Sequence, residues 1–293
     1  MKVQFLDPLD FADLWFALIV MLVISVSLFL FSCWFVRKLQ LQGGLIFASG
    51  VTLCIVLFGK FLLDSRWILF VMPFQAAVIY SNFLPLLSAL LIGVIWQSKN
   101  IPRWRRIILV TAVIILAFRV SFNIITVQTP DCWEVWDEQV CLQTSQSTCS
   151  AAAAATLLEH YGIKSSEGEM ARLSLTGEWG TCLHGLYRGL RIKTKKTPFH
   201  VSVRAADVDN LQNKVTLPVI LNVRLDKRVA EKDPRYANEW GWQLGVIHTV
   251  VLFRFAENGL VEIGDPGTGR EFWDIQALQD LWYGEYISLE SSP

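Results

Sequence analysis

The chain has 293 residues, of which 53% are hydrophobic and 18% charged, against about 25% charged in an ordinary soluble domain. A mean hydropathy of +0.41 excludes a wholly soluble protein. A net charge of zero, from 26 basic and 26 acidic side chains, excludes a generally basic nucleic-acid-binding surface.

The charge is unevenly spread. Residues 1–126 carry 10 basic and 4 acidic side chains, whereas residues 127–293 carry 16 and 22. Two domains are expected, a transmembrane segment over 1–126 and a second domain over 127–293. Charge is absent from 14–36, 39–59 and 67–98, and a further apolar run continues from 107 past Arg119 to about Ile125. A hydrocarbon core of ~30 Å takes about 20 helical residues. Four spanning helices are therefore expected, at 12–36, 43–63, 72–97 and 106–126. Pro73, Asn82 and Pro85 interrupt the third, which reads either as one long kinked span or as a span plus a re-entrant piece. The first run is too long for a signal peptide and has an acidic flank (Asp7, Asp10, Asp13), so it is read as retained.

Orientation follows from basic residues in short loops. Arg37, Lys38, Lys99, Arg103, Arg105 and Arg106 outnumber Lys2, Lys60 and Arg66 on the other side. This places the first and third loops in the cytoplasm. The protein is then a multi-pass protein of the cell (inner) membrane with its second domain extracytoplasmic; three or five spans would reverse the side. Arg119 reads as a snorkelling side chain or as a functional intramembrane charge. The spans lack paired acidic residues and an inverted repeat, which disfavours a transporter.

The second half is long enough for one globular domain. Helices are expected at 149–161, 167–174, 181–190, 205–213 and 274–282. Strands are expected at Phe199–Val203, Leu217–Val223, Ile247–Phe253, Leu260–Ile263 and Tyr286–Leu289. Gly162 suits a helix C-cap. Helices precede strands without strict alternation, which suggests an α+β fold. Between Val223 and His248 runs a long polar stretch ending in Trp240 and Trp242, the pattern of a lid or binding loop. The two tryptophans are expected to line a substrate cleft, to touch the bilayer surface, or to pack on the core.

Cys33 and Cys54 fall inside apolar spans and read as inert core residues. Cys132 and Cys141 suit a disulfide if their compartment is oxidising. Cys182 and His184 stand alone at a helix start, and no zinc-type spacing occurs, so no metal is expected. Cys149 differs, because it opens the helix over 149–161. A helix N-terminus offers free N–H groups and a positive dipole end, both of which favour the nucleophilic thiolate. His248 begins an apolar strand and Asp265 ends the next one. Adjacent antiparallel strands would bring them together, letting the carboxylate fix the imidazole tautomer for a Cys–His pair. Asp265-Pro266-Gly267 also suits a plain tight turn.

The ordered set Gln143-x5-Cys149-x11-Tyr161-Gly162-Ile163, Pro218-Val-Ile-Leu221, His248-Thr-Val-Val-Leu252 and Gly264-Asp265-Pro266-x-Thr-Gly269 resembles the C39 family of papain-like cysteine peptidases. These are the bacterial leader-peptide peptidases of bacteriocin export systems. The resemblance covers about residues 140–290 and implies a papain-like α+β domain. By it, Cys149 is the nucleophile, His248 the general base and acid, and Asp265 the residue that orients His248. Gln143 would donate, with the Cys149 backbone N–H, to the oxyanion; Gln146 has the wrong spacing. The family's Asp-Cys-Gly is Thr148-Cys149-Ser150 here, and the membrane segment precedes the peptidase rather than following it. No GxxxxGK[ST] loop occurs, so no ATP site is expected, and no cofactor is implied.

The resemblance thus implies a membrane-anchored cysteine endopeptidase acting on a secreted or membrane-associated precursor, with a double-glycine leader as the family's substrate. An export apparatus acting in trans is the implied partner beside the bilayer. A non-catalytic peptide-binding module and a papain-fold amidase or acyltransferase are the alternatives.

Overall fold

The computed structural model describes residues 11–39, 41–63, 65–256 and 259–291. Lys2, Asp7 and Asp10, which entered the charge reading, lie outside the described residues. The chain divides into two compact units, Met1–Val127 and Gln128–Pro293.

The first unit is helical: α1 (Ala12–Lys38), α2 (Leu41–Phe61), α3 (Arg66–Val71), α4 (Ala77–Tyr80), α5 (Leu84–Gln97) and α6 (Arg103–Ile125). Among the described residues, four stretches are long and apolar enough to cross a membrane: Ala12–Lys38, Gln42–Phe61, Ala77–Gln97 and Arg103–Ile125. The third apolar run is not one helix. Pro73 follows α3, and the chain breaks again between α4 and α5. At that break buried Asn82 accepts from the Leu84 N–H at 3.3 Å and donates to Ser121 Oγ at 3.1 Å. The freed backbone is thus partly satisfied by a side chain, as apolar surroundings require.

Helices α1 and α5 approach closely at Gly93, which faces Ser32, while Ser32 Oγ donates to the Leu90 carbonyl at 2.7 Å. Arg37 donates to Gln97 Oε1 at 3.2 Å, and Arg106 donates to the Trp96 carbonyl at 2.8 Å. These bonds gather the basic C-terminus of α1 and the basic N-terminus of α6 around the C-terminus of α5. Arg119 is exposed. Cys33 is buried, as expected of a core residue, but Cys54 is exposed, because α2 turns much of its surface away from the other helices.

The second unit is α+β. A short hairpin of β1 (Val135–Asp137) and β2 (Val140–Leu142) leads to α7 (Cys149–His160), α8 (Glu167–Leu173) and α9 (Leu183–Thr194). Then follow β3 (Phe199–Ala205), α10 (Val208–Lys214), β4 (Val219–Arg224), α11 (Lys227–Lys232), α12 (Arg235–Asn238), β5 (Ile247–Phe255), β6 (Leu260–Asp265), β7 (Gly269–Asp274), α13 (Ile275–Leu281) and β8 (Trp282–Ser291). The second sheet has the order β3-β8-β4-β5-β6-β7, with antiparallel pairing throughout.

Val219, Leu221, Val223, Val250 and Leu252 face a core shared with α10 and α13. The intervening Ile220, Thr249 and Val251 are buried as well. Burial on both faces is why these strands read as continuous apolar runs rather than alternating ones. The polar stretch after β4 is not a plain loop. It forms α11, capped by Asp226, and α12, whose Tyr236 is buried.

Helix α7 ends in a Schellman motif. Gly162 has φ +70°, its N–H donates to the Glu159 carbonyl at 2.9 Å, and the Ile163 N–H donates to the Leu158 carbonyl at 2.9 Å. Helices α8 and α9 meet through Gly185, where an added Cβ would overlap the Ser174 backbone carbonyl. Backbone cannot swing aside, so Gly185→Ala should destabilise the unit by about 1–3 kcal/mol. Gly168→Ala, whose Cβ would meet Cys132 Cβ at an ordinary 3.5 Å, should change stability by less than about 1 kcal/mol. Thermal unfolding of the full chain in detergent, followed by tryptophan fluorescence, checks the contrast.

Candidate active site

Cys149 is the first residue of α7, and the turn before it is closed by hydrogen bonds. Thr148 Oγ donates to the Ser145 carbonyl at 2.9 Å and accepts from the Ser145 N–H at 3.2 Å. Behind the cysteine, Ala151 to Ala155 are all fully buried. Methyl groups let the helix lie close against β5, so its first turn arrives at the strand that carries His248.

The structure brings Cys149, His248 and Asp265 together. Strands β5 and β6 pair antiparallel, with Val251 opposite Gly264, which sets the start of one beside the end of the other. His248 Nε2 donates to Asp265 Oδ1 at 2.7 Å, leaving Nδ1 as the nitrogen free to serve Cys149, whose thiol the imidazole lowers. Asp265 is 6% exposed, and its Oδ1 also accepts the Gly267 N–H at 2.6 Å. The Asp-Pro-Gly turn is therefore a tight turn whose first side chain is aimed at the histidine.

The electrostatics follow from this geometry. Burial pushes the Cys149 thiol up, but the His248 hydrogen bond and charge, the Thr249 backbone N–H and the Ser150 hydroxyl outweigh it, and the thiol lies below its ordinary value. For His248, burial opposes the charged form. The Asp265 and Cys149 hydrogen bonds and charges exceed that penalty and raise the imidazole to about 10. Both shifts favour the imidazolium–thiolate pair relative to the isolated side chains.

The Ser150 and Thr249 roles were not legible in the sequence. Ser150 Oγ lies 2.8 Å from Thr249 Oγ1, and Thr249 Oγ1 donates to Asn222 Oδ1 at 3.0 Å. Asn222 and Thr249 are register partners on β4 and β5. The chain of three ties the first turn of α7 to two strands. The signal is the placement of Ser150 and Thr249 directly after Cys149 and His248. Thr148 and Ser150, the departures from Asp-Cys-Gly, both have hydrogen-bonding work beside the sulfur.

Gln143 lies on the loop between β2 and α7. Its N–H donates to the Pro266 carbonyl at 2.8 Å and its Nε2 to the Ser145 carbonyl at 3.1 Å, while its Oε1 is buried without a hydrogen-bond partner. Gln146 is exposed. Trp242 stands edge-on to His248, with ring centroids 6.0 Å apart, and against Trp273 at 5.8 Å. Trp240 is instead packed on Tyr236 at 5.0 Å and is 52% exposed. Only Trp242 of the pair touches His248.

The remaining cysteines are thiols. Cys132 and Cys141 are unpaired, so the disulfide anticipated as one option is not formed. Burial, reinforced by the nearby Glu167 charge, raises them to about 11 and about 12, which leaves both unreactive. Cys182 caps α9, accepting from the Gly185 N–H at 3.3 Å. Among the described residues, no group of three or more His, Cys, Asp or Glu side chains forms a metal cluster.

Residues 137–229 match the model of the Peptidase C39 family; the match includes Gln143 and Cys149 and stops short of His248 and Asp265. An uncharacterised protein of Methanothermobacter thermautotrophicus is 37% identical over 65 residues, 20% of this chain and 46% of that protein. One of Methanothermobacter marburgensis is 44% identical over 50 residues, 17% of this chain and 35% of that protein. The chain thus spans less than half the length of the curated relatives it matches. Among solved structures, the peptidase domain of Streptococcus ComA, a bi-functional ABC transporter involved in quorum sensing, is 25% identical with a TM-score of 0.40, covering 52% of this chain and 96% of that one. A double-glycine-motif protease from an AMS/PCAT transporter, in complex with the leader peptide, is 15% identical with a TM-score of 0.41, covering 57% and 97%. Behind four long apolar helices, then, this chain carries an α+β unit with an antiparallel sheet that resembles the C39 peptidases and matches their family model over residues 137–229.

Proposed function

We propose that the protein is a membrane-anchored cysteine endopeptidase in which Cys149, His248 and Asp265 form the catalytic set. The observation that carries this reading is the chain of neighbours from Cys149 at the start of α7, whose thiol His248 lowers, through His248 to buried Asp265, with the last two joined at 2.7 Å. The thiol is held low and the imidazole is raised to about 10 within it. A structural cysteine has no use for such a chain, whereas a nucleophile does. The set also argues against a purely peptide-binding module.

In this reading the Cys149 thiolate attacks a peptide carbonyl carbon, and the carbonyl π pair moves to oxygen. The Cys149 backbone N–H and the Gln143 amide receive that oxyanion. The C–N bond breaks as the His248 imidazolium gives its proton to the leaving amine, leaving a thioester. Neutral His248 then takes a proton from water, whose oxygen attacks the thioester. Cys149 departs as thiolate and the acid product is released. Asp265 stays ionised and holds the imidazole orientation.

The C39 resemblance suggests a precursor with a double-glycine leader. The basic residues at the C-terminus of α1 and the N-terminus of α6 favour a cytoplasmic location for those termini by the positive-inside rule. With four spans, the peptidase unit then works on the extracytoplasmic side, on peptides emerging from an export apparatus.

The test is alkylation of Cys149 by iodoacetamide in the full chain, followed across pH by mass spectrometry of its peptide. The thiol is low, so the rate should reach its plateau below the ordinary thiol range. In His248→Ala the imidazole's lowering contacts, the largest of the set, are gone while burial remains. The midpoint should then move upward, and the rate at pH 7 should fall about 10–100-fold. Alkylation of the wild type no faster than that of a free thiol at every pH sinks the enzyme reading.

Turnover of a Gly-Gly-containing peptide should rise as the thiolate forms and fall again as the imidazolium loses its proton near pH 10. Asp265→Asn should lower kcat/KM by about 10²–10⁴-fold. A membrane-impermeant thiol reagent on intact cells reads the side: labelling before lysis places Cys149 outside, and labelling only after lysis places it inside.

A further inference from the structure

Gln143 is gripped from two directions. On one side its N–H donates to the Pro266 carbonyl at 2.8 Å, in the turn that also aims Asp265. On the other, the next residue is held by Glu167, the first residue of α8, which is fully buried. Glu167 Oε1 accepts the Thr144 N–H at 2.8 Å, and Oε2 accepts the Thr144 hydroxyl at 2.6 Å. The Thr144 hydroxyl oxygen in turn accepts the Trp133 N–H at 3.0 Å. Both oxygens of a buried carboxylate are thus committed to a single residue, the one next to Gln143.

Burying a carboxylate is expensive unless it is hydrogen-bonded. A helix start on the surface of this unit would serve equally well with a polar residue facing solvent. The bonds to Thr144 fix the peptide plane between Gln143 and Thr144, and with it the direction in which the Gln143 side chain leaves the backbone. One hydrogen of its Nε2 goes to the Ser145 carbonyl, which leaves the second for an incoming oxyanion. Oxyanion stabilisation is steeply geometric: it depends on donors held in place before the charge develops.

We propose that Glu167, acting through Thr144, is a positioning residue that sets the Gln143 amide for the oxyanion. The inference rests on the peptidase reading above. It assigns Glu167 an effect on the step where carbonyl oxygen gains charge and none on thiolate formation, because the Glu167 side chain bonds to Thr144 rather than to Cys149 or His248.

Two probes on the full chain in detergent separate these steps. Iodoacetamide forms a sulfur–carbon bond as iodide leaves, so it reads the thiolate alone. Acetyl-glycyl-glycinal also forms a sulfur–carbon bond, but its carbonyl π pair moves to oxygen and takes a proton from the His248 imidazolium. It therefore reads the oxyanion donors, as protection of Cys149 from alkylation. In Thr144→Val and Glu167→Ala the aldehyde should bind about 10–100-fold more weakly, while alkylation stays within about two-fold of wild type. Thr144→Ser, which keeps the hydroxyl, should bind it like wild type. Gln143→Ala should show a similar loss, and adding Thr144→Val to it should cost little more, since both changes act through one amide.

Unchanged aldehyde binding in Thr144→Val and Glu167→Ala overturns the proposal. So does a parallel loss of both readouts in Thr144→Val, or full additivity with Gln143→Ala. If Glu167→Ala does not fold, the threonine pair decides alone. Wild-type alkylation at the free-thiol rate is the separate result that sinks the peptidase reading itself.

Discussion

The seat of α7 on the sheet is the contact from which the site is built. Five consecutive alanines, all fully buried, bring the helix close to β5, and each side chain larger than a methyl there would lift it away. Cys149 rides on the first turn, so the depth of that seat sets the reach from its sulfur to His248. Ser150 then fastens the turn to Thr249 at 2.8 Å, and Thr249 to Asn222 at 3.0 Å. Core packing and site geometry are one constraint, because a shift of the helix would move Cys149 from His248 and lengthen the oxygen chain together.

How far this was legible in the sequence depended on whether the signal was local. The α7 helix announced itself by its alanines and by Gly162. The central strands announced themselves by apolar runs such as Val219-Ile-Leu221. His248 and Asp265 were linked from sequence because each marks the end of an apolar run and neighbouring runs pair antiparallel. Strand β7 escaped notice because Gly269–Asp274 is polar and half exposed; its place is set by pairing with β6, not by its own pattern. The short helices α11 and α12 were hidden in a charged stretch where Asp226 and buried Tyr236 were the only local signs. The oxygen chain through Asn222 depends on the register of β4 against β5, which no local pattern encodes. Trp240 and Trp242 looked equivalent two residues apart, yet one packs on Tyr236 and the other on His248.

In the helical unit the same distinction holds. Length and hydropathy locate the apolar stretches, and Pro73, Asn82 and Pro85 mark the interruption of the third; what no local pattern encodes is the bond from Asn82 to Ser121 that steadies the break. An amide that can accept from one backbone N–H and donate to a neighbouring helix makes an interrupted helix tolerable where water is scarce. The outward face of Cys54 depends on which side of α2 the other helices take, and that is a property of packing rather than of the run itself.

The strand order β3-β8-β4 has a consequence in time. Strand β8 follows every other element of its unit in the chain, yet it lies inside the sheet, between two strands synthesised well before it. Until it emerges from the ribosome, β3 has no partner and β4 has one open edge. The sheet that carries His248 is therefore incomplete while Cys149 is already made. Pairing so distant in sequence is slow to form. The outer half of the sheet, β3 and the free edge of β4, is therefore closed only by the last strand of the unit to be made.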